Sequence, residues 1–289
     1  MSSALAFVPG PPIPPSAKDL PYEDGEPMET PRHNQQMVIL RQTLRIAWKD
    51  RQDYYVGGNM FLYFSELQVR KNDFRGPDLF VVLNTTSEDR LSWVVWAEDG
   101  NTPAVVIELL SPLTAAIDRG KKKDIYAGQM RVPFYYLFDP FTKEFEGFRL
   151  DPSTLTYLPL EKQPNGDLPC PILGLALGIR ESNAEGATTG WLRWIDTDGN
   201  PLPTGEELAV AASLQAEAAQ REAEAAQREA ETAQREAETA QKEAKAARRD
   251  VEAAQKEVEA ARRDVEAAHR EAAHLEARLA EYEKKFGSL

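Results

Sequence analysis

Asp78, Glu108 and Lys122 are the residues of this 289-residue chain whose types and settings could do chemistry. Asp78 follows Pro77 at the mouth of the apolar run Leu79–Leu83, and Glu108 lies inside a second run, Ala104–Leu110. Both runs are short and rich in β-branched residues, the pattern of strands buried on both faces. A carboxylate in such a place is costly unless a cation or a basic side chain compensates it. Mg²⁺ takes oxygen ligands, keeps several waters and needs only one or two protein carboxylates. Two carboxylates on adjacent strands would supply these, with phosphate and water completing the shell. A bound metal ion lowers the pKa of its water and offsets charge on phosphoryl oxygens. The set therefore points to phosphodiester chemistry supported by Mg²⁺ or Mn²⁺.

Lysine enters on the following segment. Asp118-Arg-Gly-Lys-Lys-Lys-Asp-Ile-Tyr126 reads as helical, which places 118, 122 and 126 one turn apart on one face. Lys122 could reach back to the strand ends and position water or a phosphate oxygen, with Asp118 supporting it as an i,i+4 partner. Each residue also has a plainer reading. Asp78 could cap a turn, and Glu108 could pair with a buried Lys or Arg. Lys121, Lys122 and Lys123 could form a solvated cluster, and which of them faces inward stays open. Ser111 fits a turn or helix cap better than a nucleophile, and Tyr126 fits core packing.

Composition narrows the chemistry further. The chain has one cysteine, Cys170, and three histidines, two of which, His269 and His274, lie in the last third. That excludes a disulfide framework or thiolate metal site and argues against zinc or a Ser-His-Asp set. The formal net charge is −13. From Glu206 onward, 20 acidic and 14 basic residues account for −6 of it, so the first two-thirds are acidic as well. No broad basic field is available for nonspecific nucleic-acid binding. Local basic clusters fall at Arg70-Lys71, Arg75, Arg119 with Lys121–Lys123, and Arg131. No apolar run approaches a membrane span. The start of the chain lacks the basic end and long apolar core of a signal peptide, so the expected compartment is the cytoplasm.

The elements that must position these residues follow from pattern. Residues 1–31 are Pro-rich and expected to be extended, with 1–19 disordered. Gln35–Arg51 reads as an amphipathic helix, and 54–56 with 61–64 as a hairpin around Gly57-Gly58-Asn59. Residues 84–103 read as a polar loop whose Trp93 and Trp96 would cover the core or, alternatively, stack on bases. A helix over 115–130 precedes strands near 134–138, 144–150, 156–160 and 191–195. This order fits a mixed sheet flanked by helices.

The last third is a heptad repeat. One seam runs Ala223, Ala230, Ala237, Ala244, Val251, Val258, Val265, Ala272, Leu279, Phe286, and its partner runs from Ala226 to Ala268 in sevens, then Leu275 and Tyr282. This 3-and-4 spacing is that of a coiled coil, expected over 206–286 and about 120 Å long as a continuous helix. Alanine seams bury little, so parallel homodimerisation is expected mainly through 251–286, with an isolated charged helix as the alternative.

The pattern Pro-Asp…Val-Ile-Glu-Leu-Leu-Ser-Pro-x-Thr…Asp-Arg-Gly-x-Lys-x-x-x-Tyr…Val-Pro-x-Tyr-Tyr-Leu-Phe-Asp-Pro resembles the Uma-two family, an endonuclease-like branch of the PD-(D/E)XK nuclease superfamily. The resemblance covers roughly residues 20–207 and includes Leu173–Leu177, Leu192–Asp196 and Pro203–Glu207. It implies a restriction-endonuclease-like domain over 20–205, DNA as substrate, Asp78 and Glu108 as metal ligands, and Lys122 in place of the superfamily lysine two residues after the glutamate. Here that position is Leu110. A second departure is the connection Gly128–Pro133, one residue longer than usual in the family. The alternative is a nuclease-like fold kept as a chemically silent assembly module.

Overall fold

The computed structural model describes residues 14–22, 30–65, 76–184 and 186–287. Residues 23–29 and 66–75, with Arg70, Lys71 and Arg75 among the basic clusters, lie outside the described residues. The chain divides into two units, one ending at Ala211 and one spanning Ala212–Leu289.

In the first unit, helix α1 spans Pro31–Ala47, four residues earlier than the sequence pattern suggests. Its start is set by Thr30, an extended N-cap whose side chain accepts from the His33 amide, and by Pro31 in the first turn, where a missing N–H costs nothing. The helix stops at Trp48, on whose ring Arg51 stacks at 4.2 Å. Leu20 is buried, and Tyr63 donates to the Pro21 carbonyl.

Strands β1 (Tyr54–Gly58), β2 (Leu62–Tyr63), β3 (Leu79–Leu83), β4 (Trp93–Val94), β5 (Val105–Leu109), β6 (Phe134–Phe138), β7 (Phe145–Asp151) and β8 (Thr156–Pro159) follow. Six of them form one mixed sheet in the order β1-β3-β5-β6-β7-β8. Only β5 and β6 are parallel, joined by the helical segment that carries Lys122. The expected hairpin at Gly57-Gly58 does not form: β1 continues through both glycines and pairs antiparallel with β3, while β2 pairs parallel with β4. A Cβ on Gly57 would lie 2.3 Å from the Phe80 ring, and one on Gly58 2.7 Å from Met37 Sδ. These glycines admit neighbouring side chains rather than turn the chain.

Alternation along the strands sorts side chains onto two faces. Val81, Ile107, Tyr136 and Phe138 pack with Met37, Leu40 and Leu44 of α1. Phe80, Val82, Val106, Tyr135 and Leu137 pack on the other face with Ile125, Tyr126 and Trp93. A second, three-stranded sheet is built from β9 (Leu168–Cys170), β10 (Leu175–Ala184) and β11 (Ala187–Ile195). It closes the α1 face: Gln36 donates to the Leu192 carbonyl at 2.8 Å and accepts the Leu192 amide at 2.9 Å, and Trp194 donates to the Leu40 carbonyl.

The helix expected over 115–130 is in three parts: α2 (Ala115–Ile117), a π-helical turn (Asp118–Lys122) and α3 (Lys123–Gly128). Beyond it, Arg131 has φ +53°, which lets the longer connection turn into β6. Trp93 is fully buried, and Trp96 is edge-on to Tyr63 with its indole N–H on the Pro15 carbonyl. Trp93 is therefore core, while Trp96 is partly buried against core residues.

Helix α4 runs from Gly205 to Phe286. Its first turn belongs to the first unit, where buried Arg193 of β11 is 2.7 Å from Glu207. From Leu208 to Lys285 every residue is exposed. Among the described residues no helix is long and apolar enough to cross a membrane.

Candidate active site

The strand register assembles the carboxylates. Leu79 pairs with Ile107 and Phe80 with Val106, so one further step sets Asp78 opposite Glu108. Alternation turns both toward the face that packs on Tyr126. Each strand end then bonds to the other: the Leu109 amide donates to Asp78 Oδ2 at 2.6 Å, and the Asp78 amide donates to Glu108 Oε2 at 3.4 Å. Asp78 is half-buried, while Glu108 is 1% exposed.

The intervening helical segment supplies the other half of the site. Lys122 Nζ lies 3.1 Å from Glu108 Oε2 and 2.7 Å from Asp118 Oδ1. Tyr126 donates its hydroxyl to Glu108 Oε1 at 2.8 Å. Of the three consecutive lysines it is Lys122 that faces the carboxylates; Lys123 lies over the Phe148 ring at 3.4 Å, and Lys121 is on the exposed side. The π turn falls between Asp118 and Lys122, the residues that must converge, as such turns often do at functional sites. Tyr135 from β6 donates to the Asp118 carbonyl and holds that turn against the sheet.

Ser111 fills a structural place: its hydroxyl accepts from the Leu113 and Thr114 amides and shapes the start of α2. Arg119, from the same basic cluster, pairs with Glu144 and Glu146 on the surface instead of entering the site. Sequence reasoning missed His33. It is buried, with Nδ1 2.8 Å from Thr30 Oγ1 and Nε2 3.2 Å from the Leu110 carbonyl, and so fastens α1 to the chain just past Glu108. Its signal was the Thr-Pro-x-His spacing at the helix start.

Electrostatics distinguish this cluster from an ordinary ion pair. Burial pushes the Glu108 carboxyl up to about 8; Lys122 opposes the rise, while Asp78 and Asp118 add to it. Burial alone would lower the Lys122 ammonium, but Glu108 and Asp118 outweigh it and hold the group charged. Tyr126 is raised well above its ordinary value, first by burial and then by Glu108, so its hydroxyl stays a donor. Three carboxylates thus share one ammonium.

The donor chemistry fits a hard divalent cation. The available groups are oxygens, and the mutual repulsion of Asp78 and Glu108 is the kind of energy a cation relieves. Among the described residues no group of three or more His, Cys, Asp or Glu is placed to hold a metal by itself. The protein would thus contribute two carboxylates and leave room for water and phosphate oxygens, as Mg²⁺ tolerates.

Comparison with known proteins identifies the family. The family model Uma2, described as "Putative restriction endonuclease", matches residues 13–180, more than half of the chain. The crystal structure of "a putative nuclease belonging to DUF820 from Anabaena variabilis ATCC 29413" is similar at 16% identity, with a TM-score of 0.39, over 55% of this chain and 91% of that one. No curated protein matches. The chain belongs to the Uma2 family and has that family's restriction-endonuclease-like fold.

Proposed function

We propose that this protein is a divalent-metal-dependent endonuclease that hydrolyses phosphodiester bonds, with DNA as the substrate. The observation that carries this reading is the convergence of Asp78, Glu108 and Lys122 at the ends of β3 and β5, with Glu108 buried and held by Tyr126. The choice of DNA rests on the description of the family.

Asp78 and Glu108 would hold Mg²⁺ or Mn²⁺, which supplies an activated water and offsets charge on the phosphoryl oxygens. Tyr126 fixes Glu108 by binding Oε1, which leaves Oε2 directed toward Asp78 and Lys122. Asp118 aims the Lys122 ammonium, and a phosphate entering the site can draw that ammonium from Glu108 onto a non-bridging oxygen. Lys122 then stabilises charge that grows in the transition state, or orients the attacking water. Leu110 stands where the superfamily carries lysine, and Lys122 reaches the same strand end from the helix.

A second reading, a silent nuclease-fold module, is favoured by one observation. Lys122 already bridges Glu108 and Asp118, so part of the charge is compensated from within. Cleavage of supercoiled and single-stranded DNA with Mg²⁺ or Mn²⁺ separates the two, using folded wild type, Asp78→Ala and Glu108→Ala. Metal-dependent cutting by wild type that both substitutions abolish supports the nuclease. Absence of cutting by folded wild type, with no metal binding, supports the silent module.

A further inference from the structure

Among the described residues, every side chain of helix α4 from Leu208 to Lys285 is exposed, yet the helix carries an ordered apolar seam. Val251, Val258, Val265, Leu275, Leu279 and Tyr282 are between 56% and 63% exposed and recur at heptad spacing. With the series that contains Val251, Val258 and Val265 as position a and the series that contains Ala254 and Leu275 as d, the remaining positions follow. Two surface hollows lie along this seam, one lined by Val251, Ala254 and Val258 and the next by Val258, Ala261 and Val265. Each is an a-d-a frame of the kind a side chain from a facing helix enters.

The charges say which helix that is. The ion pairs within α4 join b to f: Glu217 to Arg221, Glu224 to Arg228, Glu259 to Arg263 and Glu266 to Arg270. They occupy the outer face and leave the g and e positions to flank the seam. Position g reads Glu229, Glu236, Glu243, Asp250, Glu257, Asp264, Glu271, and then Arg278 and Lys285. Position e reads Gln227, Gln234, Gln241, Arg248, Gln255, Arg262, His269, Glu276 and Glu283.

In a parallel pair, each g faces the e of the next heptad on the other helix. Glu243 then meets Arg248, Glu257 meets Arg262, Asp264 meets His269 and Arg278 meets Glu283. Only Glu271 opposite Glu276 repels. In an antiparallel pair g faces g, and with the full helices overlapped most of the acidic g residues confront one another. An overlap confined to 251–286 pairs Asp250 with Lys285 and Glu257 with Arg278 but leaves 223–247 without a facing helix. Valine at a with leucine at d is the combination that favours two strands, and this seam carries valine at 251, 258 and 265 and leucine at d at Leu275.

We infer that α4 docks on a second copy of itself as a parallel, in-register two-stranded coiled coil, held mainly by Val251 to Tyr282 and oriented by the g–e charges. The Ala-lined half from 223 to 247 follows the same path with less buried area. Because the first unit precedes α4 in the chain, a parallel pair ties two copies of that unit to the same end of the two helices. This inference does not depend on the nuclease activity.

The test uses the full chain. Sedimentation equilibrium is expected to give twice the monomer mass at micromolar concentration. Val258→Glu combined with Val265→Glu is expected to weaken dimerisation on the order of a hundredfold, because it sets charges against each other in the seam. Both positions are exposed in the single chain, so folding of the first unit is checked by its unchanged unfolding transition. Arg262→Glu is expected to weaken the dimer several-fold, and Glu257→Arg in the same chain to restore it. Polarity is read from Ala223→Cys and Leu279→Cys, each alone, under mild oxidation. A parallel in-register pair cross-links each variant to itself. A monomeric mass overturns the proposal, and so does a dimer in which neither cysteine variant cross-links to itself, the result antiparallel helices would give.

Discussion

Lys122 and Arg263 each sit one helical turn after an acidic residue, Asp118 and Glu259, but their surroundings differ. Lys122 is 18% exposed, and its Nζ lies 2.7 Å from an Asp118 that is nearly inaccessible. Arg263 is 81% exposed and 3.8 Å from a Glu259 that is itself 71% exposed. An exposed i,i+4 pair contributes about 0.3–0.5 kcal/mol, whereas removing one partner of a buried pair costs roughly 3–5 kcal/mol. Identical sequence spacing thus serves two purposes. In the first unit it buries charge beside Glu108, and in α4 it keeps a long helix hydrated on the face away from the apolar seam.

The sharpest way to break this contrast is to remove the carboxylates. Glu108→Ala and Asp78→Ala are each expected to lower metal-dependent DNA cleavage by at least about a hundredfold, if electrostatic support of the transition state is their task. Initial rates on supercoiled plasmid, with circular dichroism to establish folding, check this.

Next in size is Lys122→Met. It leaves Glu108 and Asp118 without their shared ammonium and is expected to cost roughly 3 kcal/mol of stability. The loss should be larger at pH 9 than at pH 6, since Glu108, raised by burial to about 8, takes up a proton at the lower pH and so relieves the repulsion. Denaturant unfolding at the two pH values reads both effects.

Gly57→Ala tests a purely steric feature. Its Cβ would meet the Phe80 ring at 2.3 Å, and overpacking of this kind costs about 1–3 kcal/mol. The same unfolding assay, at a single pH, is sufficient. At the small end, Glu259→Gln on α4 is expected to change the unfolding free energy by less than about 0.5 kcal/mol and to leave cleavage unaltered.

The pH dependence of stability sharpens the comparison from another side. A carboxyl raised in the folded state binds its proton more tightly there than in the unfolded chain. Its stabilising contribution is therefore complete below the ordinary value of 4.5 and is lost as pH rises toward about 8. Without metal, Glu108→Gln is expected to remove this decline between those two pH values, and stability measured across the window would show it.

Much of the site could be read from the chain because a charge inside an apolar run has few explanations. Glu108 within Ala104–Leu110 announced both a strand and a cost. The register that sets Asp78 opposite it could not be read, since pairing between β3 and β5 depends on residues far apart in sequence. The π turn was hidden as well: Asp118 and Lys122 keep i,i+4 spacing whether the helix is regular or widened. Gly57-Gly58 misled because glycine marks a tight turn and a close packing contact alike, and Phe80 decides between them. The long β10–β11 hairpin escaped notice because Glu181–Thr189 lacks apolar alternation; backbone pairing from Ala184–Ala187 back to Ala176–Ile195 holds it together. Thr30-Pro31 was overlooked as a helix start among the prolines around it.

The central claim is that Asp78 and Glu108 together hold a divalent cation, and calorimetric titration of the full chain with Mn²⁺ tests it without relying on a substrate. The wild type is expected to bind one ion per chain, several-fold more tightly at pH 8.5 than at pH 6.5, because Glu108 must lose its proton to become a ligand. Glu108→Gln should abolish that binding at both pH values while the protein remains folded. Binding that is unchanged in Glu108→Gln, or no binding by the folded wild type at pH 8.5, would contradict the account.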